Sequence, residues 1–194
     1  MAKPEDRENK PSGVEDGEGE RKYRYVSTAE VTEAFEHFRY GPSKRYVDAV
    51  YVSEDGKHAV GVLRVTEAHC EGHFEGEPIL RGVDQIEAFA QTYLLGQYAL
   101  GRIPQELGPL FAEAHASFKN PVKPGAILNM YVEQVDAGQS GNVFSAKGKT
   151  LSGDVLISEM EISGAMLPTA LLPRLIARSA RQQTGISPKF PIRE

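Results

Sequence analysis

The chain has 194 residues, 40% of them hydrophobic and 25% charged, with a formal net charge of -5. That is long enough for one domain with a real core, and the acidic balance argues against non-specific binding to nucleic acid or an anionic membrane. A lone cysteine, Cys70, excludes an internal disulfide framework and suits a reducing compartment. No window reaches the ~18 consecutive apolar residues of a membrane-spanning helix, and the charged N-terminus lacks the apolar core of a secretory signal. The expected location is the cytoplasm.

Residues 1–22 are Glu, Asp, Lys, Gly and Pro with almost nothing to enter a core, which predicts a disordered tail. Tyr23 to Tyr40 then reads as a short helix, with Val31, Phe35 and Phe38 at helical spacing and Ser27 or Thr28 as N-cap. Tyr46 to Val52 alternates as a strand does. Glu54-Asp55-Gly56-Lys57 supplies a turn, and His58 to Val65 reads as the partner strand of a hairpin.

Gly82 to Leu100 carries the longest helical signal. It is apolar or small on most faces, so the helix should be buried. Beyond it, Phe111 to Phe118, Ala126 to Asp136, and a hairpin of Asn142 to Leu151 with Val155 to Met166 read as strands, broken by Pro121 and Pro124-Gly125. Thr169 to Ala180 reads as a final helix, followed by a flexible tail over 181–194. Antiparallel strands segregated around one buried helix predict an α+β fold in which a sheet wraps that helix.

Chemistry concentrates in the stretch Gly72-His73-Phe74-Glu75-Gly76-Glu77-Pro78 and the helix that follows. His73 lies in a glycine-flanked turn. Glu87, fourteen residues on, is a carboxyl inside a segment that otherwise reads as buried, which is costly unless it is paired or used. Histidine as a residue type titrates near neutral pH and suits a general base, and a buried carboxyl can serve as general acid. The helix start at Gly82 and Val83 can offer backbone N–H groups to an oxyanion. His37, His58 and His115 lack acidic or cysteine partners at ligand spacing, so no metal site is expected. Cys70 reads as a small hydrophobe, and His69 as a pocket-lining or surface residue.

This segment resembles the signature of the FabZ-type β-hydroxyacyl-acyl-carrier-protein dehydratases, which have the hotdog fold. Gly72, His73, Phe74, Gly76, Pro78, Gly82, Val83, Glu87, Ala88, Ala90 and Gln91 match in register and without a gap. Phe118-Lys119-Asn120-Pro121-Val122-Lys123-Pro124-Gly125 resembles a second stretch of the family, and Tyr46-Val47-Asp48-Ala49-Val50 fits its first strand, so the resemblance spans roughly 40–166. It implies a single hotdog domain over 23–180 that dehydrates 3-hydroxyacyl thioesters to trans-2-enoyl thioesters in fatty acid, polyketide or related lipid biosynthesis. His73 would be the base and Glu87 of the other subunit the acid, with the oxyanion near Gly82 and Val83. Phe74, Asp84, Gln91 and Arg81 would line or orient the site, Gln91 by holding the Glu87 carboxyl. The resemblance further implies a homodimer with shared active sites, alone or as a trimer of dimers. Acyl carrier protein would be the partner, its phosphopantetheine arm carrying the substrate, with no cofactor or metal.

Four departures stand out: Glu75 and Arg81 replace prolines, Asp84 replaces a leucine, and His69-Cys70 replaces an aromatic pair. Asp84 either acts on Glu87 or the substrate, or is a first-turn aspartate facing the helix dipole. Lys119 and Lys123, near Arg81, are a candidate contact for an acidic carrier or a pantetheine phosphate. Two alternatives stay open: another hotdog acyl-thioester enzyme (thioesterase or isomerase), and a non-catalytic acyl-binding subunit of a heteromeric dehydratase.

Overall fold

The computed structural model describes residues 22–136, 142–171 and 174. The expected tail before residue 22 and the expected features beyond 174 lie outside the described residues. Among the described residues, seven strands form one antiparallel sheet around a long helix, a hotdog fold as the sequence predicts. In chain order the elements are β1 (Tyr23–Val26), α1 (Thr28–His37), β2 (Ala49–Ser53), β3 (His58–Arg64), the single-turn α2 (Glu67–Cys70), α3 (Gly82–Ala99), β4 (Leu107–Phe118), β5 (Ile127–Asp136), β6 (Val143–Ser152) and β7 (Val155–Pro168). The strand order is β1-β2-β3-β5-β6-β7-β4, which leaves β1 and β4 as edges.

α3 crosses this sheet on a stripe of its own residues. A methyl added at Gly82 would meet the Phe118 ring of β4, Phe89 packs beside Gly148 of β6, Thr92 lies against Gly61 of β3, and Gly96 against Ala59 of β3 and Val52 of β2. The helix therefore starts at the β4 edge and ends over β2. Its other faces are buried too: Ala88, Phe89 and Ala90 are fully covered, and Leu94 and Leu95 nearly so. The sheet approaches this closely because Gly61 and Gly148 present no side chain to the helix.

Several expected boundaries move, each for a physical reason. Tyr23–Val26 is a strand, not the start of a helix: Tyr23 to Val26 pair with Ser53 to Val50 of β2, and Tyr25 packs on Tyr51 with ring centroids 5.4 Å apart. The helix begins after Ser27, whose hydroxyl accepts from the Glu30 N–H while the Glu30 carboxylate accepts from the Ser27 N–H, a complete capping box. β2 begins at Ala49 instead of Tyr46, because the Tyr46 N–H is spent on a side chain of α3. β4 begins at Leu107, four residues earlier than expected, and its Pro109 is tolerated on an edge strand. Thr169–Leu171 forms a 3-10 turn where a longer helix was expected; 172–173 and 175–180 lie outside the described residues. The Glu54–Lys57 turn forms as predicted, with Gly56 at φ +66. No described helix is long and apolar enough to cross a membrane.

Gly148 gives the sharpest stability test. An alanine there drives a methyl into the Tyr131 carbonyl, which the β5–β6 ladder holds in place. Gly148→Ala should destabilise the fold by about 2 kcal/mol or more, read as a lower urea midpoint with an unchanged slope.

Candidate active site

The loop between α2 and α3 is built by its glycines and its own backbone. Gly72 and Gly76 take φ of +74 and +80, in the region that only glycine enters freely. Phe74 and Glu77 exchange backbone hydrogen bonds, the Ile79 N–H donates to the His73 carbonyl at 2.7 Å, and the Leu80 N–H donates to Val122 at 2.8 Å. This fixes His73 at the turn. Its Nδ1 lies 3.2 Å from the Ile79 carbonyl oxygen. A carbonyl can only accept, so Nδ1 carries the proton and Nε2 is left as the basic nitrogen. The imidazole stacks on Phe74, centroids 4.1 Å apart, while the Phe74 ring stays 61% exposed.

Arg81 is the N-cap of α3, which places Gly82 and Val83 in the first turn, where helix N–H groups have no intrahelical acceptor. Val83 is 64% exposed, and Phe118, also exposed, lies on Gly82. The helix start is thus an apolar rim around free amides.

Glu87 lies one and a half turns further along α3, half-buried. The Gln91 amide donates to its Oε1 at 3.0 Å. Gln91 itself is buried and fully used: its Nε2 also donates to the Lys44 carbonyl at 2.7 Å, and its Oε1 accepts the Tyr46 N–H at 2.9 Å. The Tyr40 hydroxyl faces the same carboxyl. Burial pushes that phenol up, and the neighbouring Glu87 charge and hydrogen bond push it further. Arg39, at φ +59, turns the chain out of α1 so that Tyr40 folds back, its N–H on the Phe35 carbonyl at 2.9 Å.

Asp84 has other partners. It is only 5% exposed, and both of its oxygens are taken by Arg81 (Nε to Oδ2 at 2.7 Å, and a second guanidinium nitrogen to Oδ1 at 2.9 Å). The Tyr46 hydroxyl donates to Oδ1 at 2.7 Å. Burial pushes the carboxyl up, but the hydrogen bonds from Arg81 and Tyr46 and the charges of Arg81 and Lys44 outweigh it and hold Asp84 below the usual range. The same surroundings push Tyr46 up to about 12, burial first and then the bond to Asp84.

The structure thus brings Glu87 and Gln91 together, and Arg81 and Asp84 together. Among the described residues no hydrogen bond or ion pair joins His73 to Glu87 within one chain. Tyr40 and Tyr46 belong to the same network as site residues that sequence spacing does not reveal, since they lie about forty residues from their partners. His69 accepts the Thr66 N–H at 3.1 Å and helps to cap α2. Cys70 is buried, its thiol pushed up by that burial and by Glu67 and Asp84. Lys123 pairs with Glu77 at 2.8 Å and Lys119 with Glu159 at 3.2 Å, so both lysines have carboxylates of their own. His115 does have an acidic partner, Glu113 at 3.1 Å, in an exposed pair. Among the described residues no group of three or more candidate ligands could hold a metal ion.

A family model described as "FabA-like domain" matches residues 45–161. The chain is 36% identical over 108 residues to a 3-hydroxyacyl-[acyl-carrier-protein] dehydratase FabZ of Novosphingobium aromaticivorans, covering 55% of this chain and 67% of that one. It is also 36% identical over 125 residues to the FabZ dehydratase of Pelotomaculum thermopropionicum, covering 62% and 86%. Among solved structures, a thioesterase superfamily member of Thermus thermophilus aligns with a TM-score of 0.53 at 16% identity over 66% of this chain and 94% of that one. A fluoroacetyl-CoA thioesterase aligns with a TM-score of 0.55 at 11% identity over 62% and 93%. These two speak to the fold alone.

Gln91 is the most connected side chain of the site. Gln91→Leu would strand the buried Tyr46 N–H and release the Lys44 carbonyl and Glu87, so it should cost on the order of 1–3 kcal/mol in chemical denaturation.

Proposed function

The chain belongs to the FabA-like domain family, and on that premise we propose that it is a hydro-lyase of the FabZ type, dehydrating 3-hydroxyacyl thioesters to trans-2-enoyl thioesters. The observation that carries the reading is His73, with Nδ1 committed to a carbonyl and Nε2 free, in the same motif as a Glu87 held by Gln91. In this reaction Nε2 of His73 takes a proton from C2 of the acyl chain. Charge builds on the thioester oxygen, where the Gly82 and Val83 amides and the dipole of α3 stabilise it. The electron pair then forms the C2–C3 double bond as the C3–O bond breaks, and the Glu87 carboxyl gives its proton to the departing hydroxyl, which leaves as water. Return of the proton from His73 to Glu87 resets the site.

The two catalytic groups come from different subunits of a homodimer. Among the described residues no hydrogen bond or ion pair joins them within one chain, and β4 exposes a twelve-residue edge together with Leu110 and Phe118, a surface that a second copy would cover. The substrate arrives on the phosphopantetheine arm of an acyl carrier protein, and fatty acid synthesis is the pathway that the relatives support. No metal or cofactor takes part in this chemistry. Arg81 and Asp84 leave room for a specialised acyl chain, such as one from polyketide or related lipid assembly.

Intact-mass analysis of 3-hydroxyacyl-carrier proteins incubated with the enzyme tests the reaction: loss of one water is expected. Loss of the whole acyl group would make it a thioesterase, and carrier binding without turnover a non-catalytic subunit. His73→Ala and Glu87→Gln should each slow dehydration by roughly 10²–10⁴-fold. Mixing and re-equilibrating the two inactive variants should restore about a quarter of wild-type activity, because half of the dimers become mixed and each of those regains one of two sites. No recovery on mixing would place both groups in one subunit.

A further inference from the structure

We propose that Asp84 is a positioning residue for Glu87, acting through Tyr46 and Gln91, and that Arg81 is present to keep its carboxylate charged. The proposal rests on the reading of Glu87 as the acid. Five residues form one chain of contacts: Arg81 to Asp84 at 2.7 and 2.9 Å, the Tyr46 hydroxyl to Asp84 at 2.7 Å, the Tyr46 backbone N–H to Gln91 at 2.9 Å, and the Gln91 amide to Glu87 at 3.0 Å. Tyr46 is the junction. Its phenol is anchored at the first turn of α3, and its backbone anchors the amide two turns later that holds the acid. Both ends of this clamp are buried, Tyr46 at 4% exposure and Asp84 at 5%. A tyrosine pinned at both its hydroxyl and its N–H cannot slide along the helix. The loop carrying Lys44, whose carbonyl also binds Gln91, is held with it.

The two charges of the pair are not equivalent. The Arg81 side chain is 45% exposed and can be solvated without a partner, whereas the Asp84 carboxylate is enclosed. The charged or titratable groups that act on Asp84 are Arg81 on its own helix, Tyr46 and Lys44 on the loop after α1, and Cys70 of α2. Only Arg81 and Lys44 are cationic, and only Arg81 among them makes contact. With Arg81 gone, only the Tyr46 hydrogen bond and the Lys44 charge oppose burial, and the carboxyl shifts toward its protonated form.

The test is a double-mutant cycle with turnover and a direct structural signal. Asp84→Leu and Tyr46→Phe should each lower kcat by roughly ten- to a hundredfold with little change in KM, because a small displacement of the acid weakens the proton transfer more than substrate binding. The double variant should be no worse than either single one, since both break the same clamp. Arg81→Leu should add an acid-side fall in kcat that Arg81→Leu/Asp84→Asn lacks. In each clamp-breaking variant the side-chain amide resonances of Gln91 should shift in the NMR spectrum, a readout that does not depend on which reaction the enzyme performs. If Asp84→Leu does not fold, Asp84→Ala with Tyr46→Phe completes the cycle. Multiplying kcat losses in the double variant, changes confined to KM, or unshifted Gln91 resonances would each overturn the proposal. Shifted Gln91 resonances in a protein that dehydrates no substrate would leave the clamp standing and sink the dehydratase reading alone.

Discussion

The site depends on one buried amide. Gln91 sits in the middle of a helix enclosed on most sides, where an unpaired polar group would carry a desolvation penalty comparable to a lost hydrogen bond several times over. It avoids that penalty by answering a backbone N–H, a backbone carbonyl and a carboxyl at once, the first two from the loop over residues 44–46 and the third from its own helix. The bond to Glu87 is therefore not an optional surface contact. The loop over residues 44–46 and the helix cannot separate without breaking both bonds from the loop to Gln91, so the amide that holds the Glu87 carboxyl is itself fixed. In the proposed reaction, an acid that must meet a substrate in one geometry would gain from being fixed by the same bonds that close the fold.

The sheet imposes a complementary constraint. α3 carries Glu87 on one face and must pack against strands on another, and the packing face is made close by glycines at Gly61 and Gly148 on the strands and Gly82 and Gly96 on the helix. Close approach places the helix start, with its free first-turn amides, directly beside Phe118 at the β4 edge. The position of the helix start is thus set by backbone proximity, and that of Glu87 by a side-chain network. The two meet in Asp84, which caps neither end alone but ties the first turn to Tyr46.

Much of this was legible in the sequence, and the reasons for the remainder are local. The helix over 82–100 and the Glu54–Lys57 hairpin follow from periodicity and turn chemistry that need only neighbours a few residues away. His73 and Glu87 stand out in the sequence as candidates because the motif that carries both is contiguous, while among the described residues no hydrogen bond or ion pair joins them. β1 was not, because four residues of Tyr-Arg-Tyr-Val beside a good N-cap look like the lead-in to a helix, and only pairing with β2 makes them a strand. Tyr40 and Tyr46 were invisible as site residues for the same reason: their partners Glu87, Asp84 and Gln91 lie on an element reached only by folding, with no spacing to announce them.

Asp84 shows where sequence spacing stops deciding. It is three residues from Arg81 and three from Glu87, and either neighbour could share its helix face. Electrostatics settles the choice. An enclosed carboxylate gains from an opposite charge and a phenol donor, and loses beside a second carboxylate whose own oxygen already accepts from Gln91. Two departures from the family pattern, a charged residue where proline is expected and another where leucine is expected, then prove to be partners of each other. Arg81 alone would leave a loose cation at a helix start whose dipole disfavours it, and Asp84 alone would leave a buried anion. Together they make a neutral pair that can supply, by ion pairing, local order of the kind a proline would give by ring closure, while adding a hydrogen-bonded path toward Glu87 that an apolar side chain at that position could not provide.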